Sequence, residues 1–412
     1  MQIFIAMDKN YTLHTLQNGL RVVYSQSKSD VSYCGLATKV GSRDELDNQF
    51  GLAHFVEHTI FKGTKKRRAW HILNRMELVG GELNAYTTKE ETLIYSVFPR
   101  GNMARAMELI SDLVMNSVFP EKEIEKEREV VIEEIQSYLD TPSEAIYDDF
   151  EDLIFKGTPL GHNILGDEQC LYNLFSEDCM GYLKNNYVPE NMVLFAVSKE
   201  PADKIFRLAE RHFGGMNKTL QPRKKSNLIL NNHFNEVRDI SSHQAHTIVG
   251  STTYGMHDER KYALLLLNNI LGGPGMNSTL NVAIRERHGY AYMVESSVTL
   301  FSDCGLFNIY FGSDSRAVKK CLKLIDNEMD RIASGKMTEK ALEAAKKQYI
   351  GQLIVSSDSL ENYALALGKG ILYFDQMNSI EEISEMIRSV SSEQIRETAE
   401  MLKKDYSTLT FL

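Results

Sequence analysis

Residues 31–40, VSYCGLATKV, and residues 244–253, QAHTIVGSTT, decide how the chain folds. Both read as strands, and each leads through a glycine (Gly41, Gly255) and a polar turn into a helical stretch, 50–62 or 258–271. Farther on, LIYSVFP (93–99) and GLFNIYFG (305–312) are again strands. Helical stretches follow them at 101–116 and 315–334. The offset is about 214 residues throughout, which reads as a degenerate internal repeat. The order of elements predicts an α+β chain of two homologous α/β domains, each a mostly antiparallel sheet packed with helices.

Between the repeats, GGMNKTLQPRKKSN (214–227) combines a Gly-Gly pair, a proline and a basic cluster with few apolar residues. It reads as an exposed linker. The expected division is a first domain over 1–213, a linker over 214–234 and a second domain over 235–412. Hydrophobic residues make up 43% and charged residues 25% of the 412, the composition of a globular protein. The formal net charge of −10 argues against nucleic-acid binding and against association with an anionic membrane. Five cysteines at irregular spacing speak against a disulfide framework. The apolar run Ile3–Met7 is too short for a signal-peptide core, and no stretch reaches the length of a membrane span. These features predict a cytoplasmic protein.

The sharpest chemical signal is GLAHFVEHTIF, residues 51–61. His54 and His58 stand four apart and so share one helix face, spaced to bind one Zn²⁺. Glu57 projects beside them, where a carboxylate accepts a proton from an attacking water. This is the inverted zinc motif H-x-x-E-H, and by composition roughly 0.04 chance matches are expected in such a chain. A catalytic zinc usually takes three protein ligands, so one is missing. The charge-rich stretch EKEIEKEREVVIEEIQSYLD (121–140) is the candidate region. At about 100° per residue, Ile124, Val131, Ile135 and Tyr138 form its buried stripe, and Glu127 and Glu134 fall inside or beside it. Glu129 and Glu133 face water. Burying unpaired carboxylates is costly, so Glu127 and Glu134 need a partner such as a zinc site. The angles alone leave open which of the two is the ligand and which stands behind it.

These residues resemble the pitrilysin/insulinase-type zinc peptidases, closest to the mitochondrial-processing-peptidase branch and its bacterial single-chain relatives. GLAHFVEHTIFKGT (51–64) is close to that family's zinc helix, GGELNAYTTKEETLIY (80–95) to its strand region, and EREVVIEE (127–134) to its distal element. The resemblance makes Glu134 the third ligand of one Zn²⁺ per chain, with Glu127 behind the ligands. LGGPGMNSTLNVAIRERHGYAYMV (271–294) resembles the family's glycine-containing turn, followed by an Arg and a Tyr seven apart. These are Arg285 and Tyr292, which by resemblance hold the substrate backbone and contact the scissile carbonyl. Gly81, Asn84 and Ala85 would lie at an edge strand to which an extended substrate adds by main-chain hydrogen bonds.

The resemblance thus implies a zinc endopeptidase acting on short or unfolded peptides. Double-length members are clamshells of four such domains, so a chain of this size would form half of one and complete it as a homodimer with an enclosed chamber. Two other readings stand beside it: the catalytic subunit of a heterodimeric processing peptidase, and a non-catalytic core subunit, against which the retained zinc residues argue. KKRR (65–68) reads as a solvated turn or a substrate-guiding rim.

Overall fold

The computed structural model describes residues 5–6, 10–217 and 233–412. Most of the expected linker, and all but 5–6 of the run Ile3–Met7, lie outside them. The first half contains β1 (Tyr11–Thr15), β2 (Arg21–Gln26), β3 (Val31–Thr38), α1 (Leu52–Thr59), α2 (Ala69–Glu77), β4 (Glu82–Thr87) and β5 (Thr92–Pro99). It continues with α3 (Met103–Asn116), α4 (Glu121–Leu139), α5 (Pro142–Ile154), α6 (Glu168–Tyr172), α7 (Ser176–Asn186), β6 (Met192–Ser198) and α8 (Ala202–Phe213). The second half contains β7 (Asn235–Arg238), β8 (Ala245–Thr253), α9 (Lys261–Gly272), β9 (Ala291–Leu300), β10 (Gly305–Ser313) and α10 (Val318–Ala333). After them come α11 (Glu339–Ser356), α12 (Leu360–Phe374), α13 (Ile380–Ser389), α14 (Ser392–Lys404) and β11 (Ser407–Phe411).

The first sheet runs β1-β2-β6-β3-β5-β4 and the second β7-β11-β8-β10-β9. Matching β2 to β7, β6 to β11, β3 to β8, β5 to β10 and β4 to β9 makes the two orders identical except for β1, which has no counterpart among the described residues. The match extends to direction: β2–β6 and β7–β11 are the parallel pairs, and every other pair within these sheets is antiparallel. Each sheet is therefore mixed but mostly antiparallel, as the sequence predicts. The two α/β domains share one topology.

The packing crosses between the halves. Strand β6, MVLFAVS, is buried at every residue, as expected of a strand covered on both faces. Helices α3 and α8 of its own half pack against the sheet, and so does α12 of the other half. Phe195 of β6 marks the contact. A Cβ added at Gly35 of β3 would lie 2.3 Å from its ring, and one added at Gly368 of α12 would lie 2.5 Å from it. The ring occupies the space that two side chains would need. Reciprocally, α5 of the first half packs on β8 and β11. Ile146, Phe150 and Ile154 join Ile248, Leu306, Leu409 and Phe411 in one buried cluster. Each half thus lends a helix to the other's sheet.

Candidate metal centre

Helix α1 begins where two chain segments pass closely. Gly51 has φ 91° and Gly166 has φ 75°, a region that favours glycine. Added Cβ atoms would meet the carbonyl oxygens of Leu165 at 2.5 Å and of Phe50 at 2.3 Å. The first turn is capped by Glu45, whose carboxylate accepts from the Gly51 and Ala53 amides at 2.9 and 2.6 Å. A carboxylate at a helix N-terminus satisfies orphan N–H groups and complements the macrodipole. Burial pushes the Glu45 carboxyl up, against the hydrogen bond from His162, whose Nε2 lies 3.1 Å away. Neither Glu45 nor His162 is signalled by the sequence, because Glu45 stands seven residues ahead of the first residue of the helix and His162 comes from a distant loop.

Helix α1 packs against α4 and against β4. Across the first contact, the Glu134 carboxylate oxygen Oε2 lies 3.8 Å from His54 Nε2 and 3.5 Å from His58 Nε2. Ligand atoms of His54, His58 and Glu134 lie within 4.8 Å of one another. Behind them, Glu127 Oε2 stands 3.4 Å from His58 Nδ1, and its other oxygen meets Lys62 Nζ at 2.6 Å. A carboxylate on the outer nitrogen of a metal-binding histidine fixes its ring orientation. Lys62 was not foreseen, though it stands four residues after His58 on the same face. Glu129 and Glu133 are exposed. One expectation fails: Tyr138 is exposed rather than buried, because the last turn of α4, Gln136–Leu139, is exposed at every position.

The donor set fits Zn²⁺. His54 is buried, and desolvation, then the neighbouring His58, lower its pKa to about 3, so it presents a neutral imidazole. Its Nδ1 and the Glu57 Oε2 are buried without a hydrogen-bond partner. Two imidazoles and a carboxylate in reach of one point suit zinc coordination, as a purely structural helix contact would not. Burial also raises the Glu57 carboxyl, opposed chiefly by a hydrogen bond from Thr87 at the end of β4. The carboxylate expected to act as base is therefore in contact with the edge strand.

Among the described residues strand β4 pairs only with β5, so Asn84 and Ala85 lie at a sheet edge. Gly81 sits just before it, where a Cβ would be 2.9 Å from the Val97 carbonyl oxygen. Arg285 and Tyr292 are brought together elsewhere, lining a cavity of about 470 Å³ in the second half with Asn268, Gly272 and Glu295. None of His54, Glu57, His58 or Glu134 lines that cavity. Tyr292 is 77% exposed, so neither its ring nor its hydroxyl is committed to the core. Helix α9, the counterpart of α1 in the repeat, carries no histidine.

The model of the insulinase family, peptidase family M16, matches residues 21–168. A second model, described as the peptidase M16 inactive domain, matches residues 175–349. A Rickettsia felis protein named as an uncharacterized zinc protease is 33% identical, over 98% of this chain and 97% of its own length. A Bacillus subtilis protein similarly named is 30% identical over 96% of each. A Helicobacter pylori protease structure is similar at a TM-score of 0.88, with 21% identity, covering 97% of this chain and 99% of that one. A Pseudomonas fluorescens structure described as a peptidase M16 inactive domain gives 0.89, with 16% identity, over 98% and 97%. With relatives aligned along almost its whole length and the histidine pair on α1, the chain belongs to the insulinase family of peptidases, family M16.

Proposed function

We propose that the chain is a zinc endopeptidase of short or unfolded peptides, working as a homodimer in a reducing, cytoplasmic compartment. The observation that carries this reading is the convergence of His54, His58 and Glu134 beside the unpartnered Oε2 of Glu57 and the open edge of β4. An extended peptide pairs with β4 through its main chain, so affinity depends little on its side chains. The pairing directs the peptide past Thr87 toward Glu57. A Zn²⁺ held by His54, His58 and Glu134 would supply the Lewis acid that polarises the scissile carbonyl. Glu57 Oε2 takes the proton of the attacking water and returns it to the leaving amine. Glu127 holds the His58 ring through Nδ1.

Arg285 and Tyr292 serve the same reaction from a second copy, Tyr292 donating to the developing oxyanion and Arg285 holding the substrate backbone. Their place in a cavity apart from the histidines supports supply by a partner, and the two copies together would enclose a chamber that excludes folded proteins. The free state of all five cysteines supports a reducing compartment. No helix among the described residues is long and apolar enough to cross a membrane. The test is hydrolysis of an unstructured peptide library with metal analysis of the same sample. About one zinc per chain, with cleavage lost on chelation and restored by zinc, is the expected result. A zinc-loaded chain that cuts no peptide would overturn the reading.

A further inference from the structure

Helix α2 carries an apolar surface that stands exposed among the described residues. Trp70 is 66% exposed, Leu73 52% and Leu78 74%. Trp70 is the one tryptophan in the chain. Single exposed apolar residues are ordinary, but three along one short helix and its exit form a patch of the kind that meets a partner. Cations surround it. Lys65, Lys66 and Arg68 of the preceding turn are exposed. Beside Trp70 and Leu78, a hollow of about 270 Å³ is lined by Lys66, Arg67, Arg75 and Arg105. Glu108 and Asp112 are engaged by Arg67 and Arg75. Among the described residues, Lys65, Arg68 and Arg105 have no carboxylate partner, so the face carries unbalanced positive charge.

We propose that this face docks an acidic peptide segment carrying apolar side chains, its carboxylates on the Lys65–Arg68 rim and an apolar side chain against Trp70 and Leu78. The hollow is of side-chain size and concave, which suits a peptide better than a flat lipid surface. The net charge of −10 repels a large polyanion as a whole, whereas a short peptide feels mainly the local rim. Helix α2 also packs against the edge strand β4, which puts this face in the same part of the fold as the open edge. The use of the docked peptide as substrate rests on the peptidase reading; the docking does not.

Because Trp70 is unique, its fluorescence reports on this face alone. The full-length Glu57→Gln chain, which leaves the probe uncut, is titrated with a twelve-residue peptide of alternating Glu and Leu, and with its Gln counterpart. A saturable shift in emission with the Glu peptide, weakened by salt, is expected. The Lys65→Ala/Arg68→Ala pair, both exposed and harmless to the fold, should raise Kd about tenfold, as two rim charges warrant. No emission change, an equal response to the Gln peptide, or a response to phosphatidylglycerol vesicles without one to the peptide would overturn the proposal. Wild-type chain that docks the peptide and cleaves nothing would count against the peptidase reading alone. Chain that cleaves both peptides with equal KM and no tryptophan response would count against this proposal alone.

Discussion

Glu133 and Glu134 are neighbours with opposite surroundings, one in water and the other facing two imidazoles. Substitution should separate them cleanly. Glu134→Gln should lose most of the bound zinc, and Glu133→Gln should keep both zinc and activity. Glu57→Gln should retain about one zinc per chain while hydrolysis falls about 10²–10⁴-fold, since its carboxylate acts as a base. Glu127→Gln should weaken zinc binding by about 10–100-fold through His58. Metal content by atomic absorption, beside peptide turnover, reads all four. A Glu133→Gln protein stripped of zinc would mean that α4 presents the opposite face. The histidine pair and the stripe from Ile124 to Val131 were legible because helical spacing puts ligands and core on fixed faces. Tyr138 was misjudged because spacing does not say where a helix outruns the body it packs on. Glu45 and His162 left no signal, since their meeting depends on a loop returning from more than a hundred residues away.

At the scale of elements, Gly368 shows propensity and packing opposed. It sits inside α12, where Ala is worth about 1 kcal/mol more than Gly. A Cβ there would lie 2.5 Å from Phe195 Cδ1, and forcing extra volume into a packed core costs about 1–3 kcal/mol. Gly368→Ala should therefore lower Tm despite the better helix former, and Gly368→Ala with Phe195→Leu should recover part of the loss. Thermal unfolding followed by circular dichroism decides it. A raised Tm for the single variant would mean that α12 does not seat on β6. Of the strands, β3, β5, β8, β10 and the edge strand β4 were readable from composition and turns, the other six were not, and the limits of the helices read from the sequence came within about three residues. The lending of α5 and α12 between halves was not readable. A helix's apolar face states that it is buried, never against which sheet.

For the whole molecule, the decisive question is whether one active site draws on two chains. Glu57→Gln and Tyr292→Phe are each expected to be nearly inactive; losing one oxyanion donor alone costs about 10²–10³ in rate. Mixed under subunit exchange, about half of all dimers pair one of each. If Tyr292 acts on the partner's zinc, every mixed dimer holds one intact site, and about a quarter of wild-type activity should return. Activity no greater than the sum of the separate variants, with exchange verified by a tag, would put both groups in one subunit.

The lending of helices also sets a schedule for biosynthesis. Strand β6 leaves the ribosome long before α12 exists, and at about 5–20 residues per second the delay is roughly 9–35 s. During that interval the face formed by Leu93, Val193, Phe195 and Val197, which α12 and its neighbours later bury, has no cover. The nascent first half is therefore a client for chaperones that hold apolar surface. Expressed alone as residues 1–217, it should aggregate or bind a hydrophobic dye, and co-translation with residues 233–412 should rescue it. The order in which the polypeptide is made leaves its earliest sheet waiting for one of its last helices.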